Sequence, residues 1–375
     1  MRALVGGALG VLVCICACSD NGSAPGDSGV VAPGDDAQVN PGDDAKAVPD
    51  DNYIDTHMHL NVGKGPMKNP SGAAQALLAL MDANGVEKSV IVVVPSHTQS
   101  PSADLQEAAD GVAAGNGRLF LAAGGATLSS FLQEVEPATV TDETKANFST
   151  QAEALITEKG AIAFGEMISF HLCMSSTHSY QVALANHPLY KVLSDIAAKH
   201  GVPIDLHMEA TETVQDTPEN LKTACAENPD ELPASVPPLE ELLAHNRKTK
   251  IVWQHVGWDN LGNMTPTLVK RLLGDHANLY VSMRVEDRPK QIESSEDMPN
   301  RIVGKDGKIT TAWLDVINQY SDRVLIGSDE FVAPAGNDVK FPTSFVSTWS
   351  ILSQLSAEVA KKVGHDNAAS VYNLK

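Results

Sequence analysis

The sequence predicts an α/β protein, namely a (β/α)8 TIM barrel that follows a disordered N-terminal tether. From residue 53 onward, eight short runs rich in apolar and β-branched residues alternate with longer helical segments, which is the pattern of a barrel built from βα units. Most of these runs are continuously apolar, as parallel strands buried on both faces require. A doubly wound open sheet is the alternative, but no glycine-rich phosphate loop follows the first run.

The eight runs are predicted to be the barrel strands, in order residues 53–59, 88–95, 119–125, 161–167, 202–209, 250–257, 279–285 and 324–330. Helices are predicted between them and after them, at residues 73–84, 150–159, 189–200, 239–245, 266–273, 311–320, 345–355 and 356–363. The first three helices stop at Gly85, Gly160 and Gly201, because glycine readily takes the left-handed conformation that ends a helix. The irregular stretches 209–238 and 286–308 are predicted to be loops at the active face.

The N-terminus has the form of an export signal. Arg2 precedes an apolar run over residues 3–17, which is too short for a membrane-spanning helix. Residues 15–18 (ICAC) resemble a bacterial lipoprotein box, which implies cleavage before Cys18 and a lipid on its thiol. Ser19 rather than aspartate favours retention in the outer membrane. We therefore expect an exported protein that is lipid-anchored to the bacterial cell envelope, in the outer membrane or periplasm, with an uncleaved signal anchor as the alternative.

A linker follows the predicted lipidation site. Residues 19–50 are rich in Gly, Pro, Asp and Ser, and the unit PGD recurs three times. Such a segment buries too little apolar surface to offset its ordering entropy, so it is predicted to be disordered. The expected organisation is a signal peptide and lipobox over residues 1–18, a linker over 19–50 and a barrel over 51–375. The net charge of −20 argues against a nucleic-acid partner, which would require a basic face.

Two cysteines lie in the predicted barrel. If Cys18 is acylated, Cys173 and Cys225 remain as an even pair in an oxidising compartment. They either form a disulfide or stay as two free thiols. Free thiols are the favoured alternative, because nothing in the sequence brings the two within bonding distance.

Polar residues mark the ends of the predicted strands. Within residues 53–60 (YIDTHMHL), His57 and His59 share one face, since side chains alternate along a strand, and two such imidazoles can bind one metal ion. The barrel fold places catalytic groups at the carboxyl ends of its strands. Polar side chains also occur at the ends of strands four, five, six and eight, namely Glu166, His207, His255 and Asp329. Burying this set without a cation would be costly, so it predicts a metal centre; histidines that merely cap a strand are the alternative.

The motifs around these residues resemble one family. They are IDTHMH (54–59), FGEM (164–167), DLHME (205–209), WQHVGW (253–258), LIGSDE (325–330) and the terminal NAASVYNL (367–374). Together they are similar to the metal-dependent amidohydrolase superfamily, most closely its amidohydrolase-2 branch, over most of residues 53–375.

The resemblance implies roles for the strand-end residues. His57, His59 and His207 would bind a divalent metal, and Asp329 would be a further ligand or accept the proton of the metal-bound water. His255 would act as an acid, a base or an electrostatic stabiliser. A second ion would depend on Glu166, and one ion is favoured over two. Such ligands suit Zn, although Mn or Fe also fit.

Other polar residues are candidates for the pocket. Arg284, near the end of strand seven, could bind a substrate carboxylate; the alternatives are an ion pair with Glu286 or Asp287, or a solvent-facing side chain. His171 and His178 follow strand four and are weaker candidates for the pocket lining.

The remaining polar and aromatic residues near the motifs receive structural interpretations. Asp55 is expected to orient the end of the first strand, Trp253 to pack in the core and Trp258 to be a candidate pocket wall. The other histidines are interpreted as surface or capping residues, namely His97, His187, His200, His245, His276 and His365.

The predicted function is metal-dependent hydrolysis of an ester, lactone or amide carbonyl in a small substrate, by a metal-activated water. A non-oxidative decarboxylase of the same fold is the first alternative, since relatives of this branch decarboxylate aromatic or unsaturated acids. A non-catalytic binding lipoprotein is the second. The expected partners are a small-molecule substrate and a membrane reached through the lipid anchor, and a homo-oligomer is left open.

Overall fold

The computed structural model describes residues 52–63, 68–96, 106–174, 179–285, 298–336 and 345–375. Several sequence-based predictions lie outside these residues: the signal peptide and lipobox with Cys18, the tether, and the side chains of His97, His178, Glu286 and Asp287.

Strands and helices alternate along the described chain. The strands are β1 (Tyr53–Leu60), β2 (Val86–Val92), β3 (Leu119–Gly124), β4 (Ala163–His171), β5 (Gln181–Val182), β6 (Ile204–Met208), β7 (Gln215–Asp216), β8 (Glu231–Leu232), β9 (Ile251–Val256), β10 (Leu279–Met283), β11 (Val324–Ile326) and β12 (Glu330–Val332). The helices are α1 (Pro70–Asn84), α2 (Ala108–Ala113), α3 (Leu128–Glu134), α4 (Asp142–Thr157), α5 (Pro188–His200), α6 (Glu219–Ala224), α7 (Val236–His245), α8 (Pro266–Asp275), α9 (Thr311–Gln319), α10 (Phe345–Leu352), α11 (Ala357–Lys361) and α12 (Asn367–Val371).

The main sheet closes into a barrel through an interrupted eighth strand. Its parallel order is β11-β10-β9-β6-β4-β3-β2-β1-β12, and only residues 327–329 separate β11 from β12. The backbone N–H of Gly327 donates to Met283 on β10 over 3.1 Å, and that of Asp329 donates to His57 on β1 over 2.8 Å. Because β11 pairs with β10 while β12 pairs with β1, the two pieces join the edges of the sheet. The predicted (β/α)8 barrel is confirmed.

Most predicted helices are found with shifted ends. The predicted stops at Gly85 and Gly201 are left-handed, with φ of 66° and 69°. Helix α4 begins eight residues before the predicted start at 150, because Thr141 caps it by accepting a hydrogen bond from the Thr144 N–H over 3.1 Å. None of the described helices has the length and apolar character to cross a membrane.

The stretch 209–238, predicted as an irregular loop, contains regular structure. Strands β7 and β8 pair antiparallel, α6 lies between them, and α7 begins at Val236. A two-residue strand and a six-residue helix are too short to show a hydrophobic period, so sequence patterns could not indicate them. The same reason explains why α2, α3 and β5 were missed.

The expectation of two free thiols is wrong. Cys173 and Cys225 form a disulfide, with their Cα atoms 5.7 Å apart. The Asn228 side chain binds the backbone of Cys173 as well: its Nδ2 donates to the Cys173 carbonyl and its Oδ1 accepts from the Cys173 N–H, both over 2.8 Å. The bond joins the segment after β4 to the end of α6, which are 52 residues apart and whose approach no local pattern reveals.

An apolar layer fills the barrel at the amino ends of its strands. Six strands contribute fully buried side chains to it, namely Ile54, Val90, Ala122, Ala163, Val252 and Leu325. Helix α12 covers this end of the barrel and adds Ala368, Val371 and Tyr372. The larger apolar core lies between the barrel and the surrounding helices. Both packed layers hold the strands rigidly, so the opposite strand ends have fixed positions.

Candidate metal centre

Six predicted polar residues converge at the carboxyl ends of the barrel strands. Strand β1 provides two of them, β4, β6 and β9 provide one each, and the break between β11 and β12 provides the last: His57, His59, Glu166, His207, His255 and Asp329. Four of the six are buried, and the other two, His207 and Asp329, are partly buried. The convergence predicted from the strand ends is therefore present, and the roles of the individual residues stay predictions.

Three donor atoms form a triangle at one side of the site. His57 Nε2 and His59 Nε2 are 3.1 Å apart, and Asp329 Oδ1 lies 3.0 Å from the second and 3.8 Å from the first. Four ligands at about 2.0–2.1 Å from a tetrahedral ion would place neighbouring donor atoms roughly 3.3–3.4 Å apart. The spacing of this triangle therefore fits a metal ion.

Neighbouring groups orient these donors. His59 Nδ1 donates to the Val92 carbonyl over 2.7 Å, which leaves the lone pair on Nε2, where a ligand needs it. Asp55 Oδ1 accepts from the His57 N–H over 3.0 Å and from the Ser328 N–H over 3.1 Å. Asp55 therefore ties β1 to the segment that carries Asp329, which is the orienting role expected for it. Burial raises the pKa of Asp55 to about 7.

Glu166 connects the two sides of the site. Its Oε1 accepts from His207 Nδ1 over 2.7 Å and from His255 Nε2 over 2.9 Å, and its Oε2 lies 3.7 Å from His57 Nε2. A proton on His207 Nδ1 leaves that ring's lone pair on Nε2. Strand four was the ambiguous position in the sequence, and the structure brings its carboxylate among the other donors.

Two site residues have left-handed backbones. The φ angles of His255 and Asp329 are 61° and 54°, in a region that non-glycine residues rarely adopt and that costs about 1–3 kcal/mol. On β9, Val252 lies in the barrel interior and Gln254 reaches Tyr372 there, so strict alternation would turn His255 outward. The left-handed turn instead brings its ring within 4.6 Å of the His57 ring.

Arg284 follows β10 and reaches the same site, as predicted, although it has a partner that was not anticipated. Its Nη1 pairs with Asp329 Oδ2, and its guanidinium lies 4.3 Å above the Trp258 ring. Trp258 therefore borders the site, in agreement with its candidacy as a wall. Trp253 is fully buried and donates to the Met208 carbonyl, as a packing residue should.

The remaining described histidines divide as expected. The His171 ring lies 4.9 Å from the His207 ring, so it borders the site. His187 caps α5. The others pair with carboxylates outside the site, namely His200, His245, His276 and His365.

The site carboxylates are ionised despite their burial. Burial alone would raise the pKa of Asp329, but Arg284, His255 and His59 together lower that pKa below its ordinary value. For Glu166, burial is again outweighed, by His207 and His255 above all, and the pKa lies well below the usual range. Both carboxylates are thus available as anionic ligands at neutral pH.

The four histidines of the site form two pairs that differ in the direction of their pKa shifts. Burial lowers the pKa of His57 and of His255. Burial has the same tendency at His59 and His207, but Asp329 and Glu166, respectively, raise the net pKa of these two rings. Imidazoles bind metal in the neutral form, so the first pair needs no deprotonation near neutral pH, and the second pair releases protons on binding.

Comparison with known proteins agrees with this geometry. The family model described as amidohydrolase matches residues 54–374. No curated protein matches the sequence.

Solved structures show remote similarity. A dihydroxybenzoic acid decarboxylase from Polaromonas sp. JS666, solved with manganese and 2-nitroresorcinol, is 12% identical with a TM-score of 0.45, over 86% of this chain and 97% of that one. Amidohydrolase 2 from Bifidobacterium longum subsp. infantis is 13% identical with a TM-score of 0.44, over 86% and 99%. A D-hydantoinase is 13% identical with a TM-score of 0.45, over 85% and 70%. Scores this low say nothing about the reaction. The family model, which spans the whole described barrel, shows that the chain belongs to the amidohydrolase family.

Proposed function

We propose that the protein is a metal-dependent hydrolase that cleaves an ester, lactone or amide carbonyl in a small molecule. The observation that carries the proposal is the triangle of His57, His59 and Asp329 donors, 3.0–3.8 Å apart at the carboxyl end of the barrel. Membership of the amidohydrolase family supports it.

The donor set suits one divalent ion. His57, His59, His207 and Asp329 would hold it, with Glu166 beside them as a further ligand. One ion is favoured over two because Glu166 already joins both sides of the site through three histidines. Nitrogen and carboxylate donors of this kind suit Zn, and Mn or Fe are also compatible. When bound, the ion supplies a Lewis acid that activates water and polarises the carbonyl.

The side chains of this chain supply the proton transfers. Asp329 is ionised, so its Oδ1 accepts the proton of the attacking water, while Arg284 holds Oδ2 and thereby fixes the carboxylate plane. His255 Nε2 hydrogen-bonds Glu166 Oε1 and is placed to carry a proton to the leaving group. Trp258 and Arg284 form a wall against which a substrate packs.

Decarboxylation is the second candidate, and Arg284 is the observation that favours it. Its guanidinium stands beside Asp329, where it could also bind a substrate carboxylate that departs as CO2. The two reactions differ in product, because only hydrolysis consumes water at a carbonyl.

The test is a turnover screen of the metal-loaded full-length protein. Esters, lactones and amides are assayed for hydrolysis, and aromatic and unsaturated acids for CO2 release. The variant Asp329→Asn keeps a side-chain oxygen that can bind the ion but lacks the carboxylate that accepts a proton. It should therefore retain metal but lose turnover roughly 10²–10⁴-fold, the usual contribution of a general base. The matched control is His245→Ala, because His245 ends α7 and pairs with Asp195 outside the site. Its metal content and turnover should equal those of the parent protein. Bound metal without turnover on any compound would contradict both reactions and favour a binding protein.

We also propose export and lipid anchoring at Cys18. The pattern of residues 1–18 supports this, and so does the Cys173–Cys225 disulfide, since such bonds persist in oxidising compartments. Replacement Cys18→Ala should move the protein from the membrane fraction to the soluble fraction, and unchanged membrane association would contradict the proposal.

A further inference from the structure

The terminal motif at residues 367–374 has no part in the chemistry above, yet one of its side chains reaches into the barrel. Tyr372, directly after α12, donates from its hydroxyl to Asp205 Oδ1 over 2.6 Å. Both residues are fully buried. They are 167 positions apart in sequence. An ionisable pair in the interior of a barrel that is normally filled by apolar side chains calls for a physical reason.

Asp205 touches the strands that carry the site. It lies on β6 two residues before His207, so the two side chains share a face of the strand. A Cβ added to Gly165 would lie only 2.8 Å from Asp205 Cβ, so Asp205 packs closely against the residue that precedes Glu166 on β4. Only glycine at 165 permits this approach.

Gln254 extends the contact to a third strand. Its Nε2 lies 3.5 Å from the Tyr372 hydroxyl, and it directly precedes His255 on β9. Asp205, Gln254 and Tyr372 form what we call the interior polar cluster. Through Gly165, Asp205 and Gln254, the cluster adjoins the strand positions of Glu166, His207 and His255. These are the three residues of which the Glu166 carboxylate binds both histidines.

Helix α12 is held firmly enough to act as a reference point for Tyr372. At its start, Asn367 Nδ2 donates to the Ser321 and Val324 carbonyls, each over 2.7 Å. At its end, the Lys250 ammonium binds the Ser370 carbonyl over 2.9 Å. Asn373 Nδ2 donates to the Gly201 carbonyl over 2.9 Å. These bonds tie the helix to the chain beside β6, β9 and β11.

We propose that Tyr372 is a positioning residue for the metal centre. Its hydroxyl holds Asp205 and Gln254, and through them sets the relative placement of β4, β6 and β9, so that Glu166, His207 and His255 meet. The inference rests on the proposed metal centre and adds a residue that touches neither metal nor substrate. The C-terminal motif thereby acquires a role beyond covering the barrel.

The test compares two single-oxygen deletions in the full-length protein. Tyr372→Phe removes the hydroxyl that binds Asp205. Tyr190→Phe is the matched control, because Tyr190 on α5 is also fully buried and its hydroxyl has no hydrogen-bond partner within the described residues. Zinc affinity is measured by chelator competition, and the visible spectrum of the cobalt-substituted protein reports ligand geometry. Thermal unfolding of the metal-free forms establishes that both variants are folded at the assay temperature.

Tyr372→Phe should weaken zinc binding about tenfold, the lower end of the effect of groups that orient metal ligands, and should change the cobalt spectrum. Tyr190→Phe should leave both unchanged. Asp205→Asn keeps an acceptor for the Tyr372 hydroxyl and should retain affinity close to that of the parent, whereas Asp205→Leu should resemble Tyr372→Phe.

Parental affinity and spectrum in Tyr372→Phe would overturn the inference and leave the metal centre standing. An equal loss in Tyr190→Phe would also overturn it, since the effect would then not depend on the interior polar cluster. A parent protein that binds neither zinc nor cobalt would instead overturn the proposed metal centre itself.

Discussion

The two ends of the barrel are built from the same strands and differ in almost every physical respect. At the amino ends, apolar side chains such as Ile54 and Leu325 are fully buried beneath α12. At the carboxyl ends, the same strands present imidazoles and carboxylates, and two residues, His255 and Asp329, have left-handed backbones. The apolar end therefore provides stability, and the polar end accepts strain to hold donors in place.

Stability and metal binding should therefore be separable by mutation of the apolar side chains in this layer, which leaves the interior polar cluster of Asp205, Gln254 and Tyr372 intact. Apolar burial is insensitive to pH and to metal, whereas the donor set depends on both. For each variant below, we state whether stability or zinc affinity should change, and which result would show that the two ends depend on each other.

Mutation of the apolar end should lower the stability of the protein more than any other change considered below. Leu325→Ala should lower the free energy of unfolding by about 2–5 kcal/mol, because it leaves a cavity in a fully buried layer. Zinc affinity of the folded protein should be unchanged. Urea denaturation of the metal-free protein measures the first quantity and chelator competition the second.

The control for this cavity variant is Val214→Ala, at a side chain that is 55% exposed, and its effect should be within about 0.5 kcal/mol. A Leu325→Ala protein that is folded but has lost zinc affinity would show that the two ends are not separable.

The second effect is a pH dependence of zinc affinity, which arises from the donors at the polar end alone. The pKa values of His59 and His207 are raised above the ordinary 6.5. As the pH is lowered, both rings therefore begin to take up protons at a pH above 6.5. Protons compete with metal, and each protonated ring weakens binding roughly tenfold per pH unit. Zinc affinity should therefore begin to fall above pH 6.5 as the pH is lowered. A decline that begins only below pH 6 would contradict the carboxylate–histidine contacts.

A smaller effect is expected from the cation in the site wall. Arg284 is the main group that lowers the pKa of Asp329 against burial, so Arg284→Met should raise that pKa. Loss of the arginine charge also favours protonation of the neighbouring His59, so the pH at which zinc affinity is half lost should move upward, by about one pH unit for a change of roughly 1.4 kcal/mol. Arg271→Met, at an exposed arginine paired with Glu240 over 2.8 Å, is the control. Identical pH profiles for the two variants would show that Arg284 does not govern Asp329.

Much of the fold followed from the sequence because its patterns are local. Continuous apolar runs identified the strands, and Gly85 and Gly201 marked helix ends. The donors His57 and His59 were paired by simple alternation, and the other strand-end residues by the rule that barrel sites lie at one face.

What the sequence did not reveal depends on long-range contacts. Arg284 meets Asp329 and Cys173 meets Cys225 only after the chain has folded, and no spacing encodes either pair. The inward turn of His255 needs a left-handed residue that strand periodicity cannot indicate. Tyr372 and Asp205 meet across 167 residues, from the last helix to the middle of the barrel.

The proposed metal centre is tested most directly by the metal content of the purified full-length protein, measured by elemental mass spectrometry beside His57→Ala. We expect about one equivalent of Zn, Mn or Fe per chain, and its loss in the variant, because the imidazole of His57 is one corner of the donor triangle. A parent protein that binds no metal, even after reconstitution with each of these ions, would contradict the proposed metal centre.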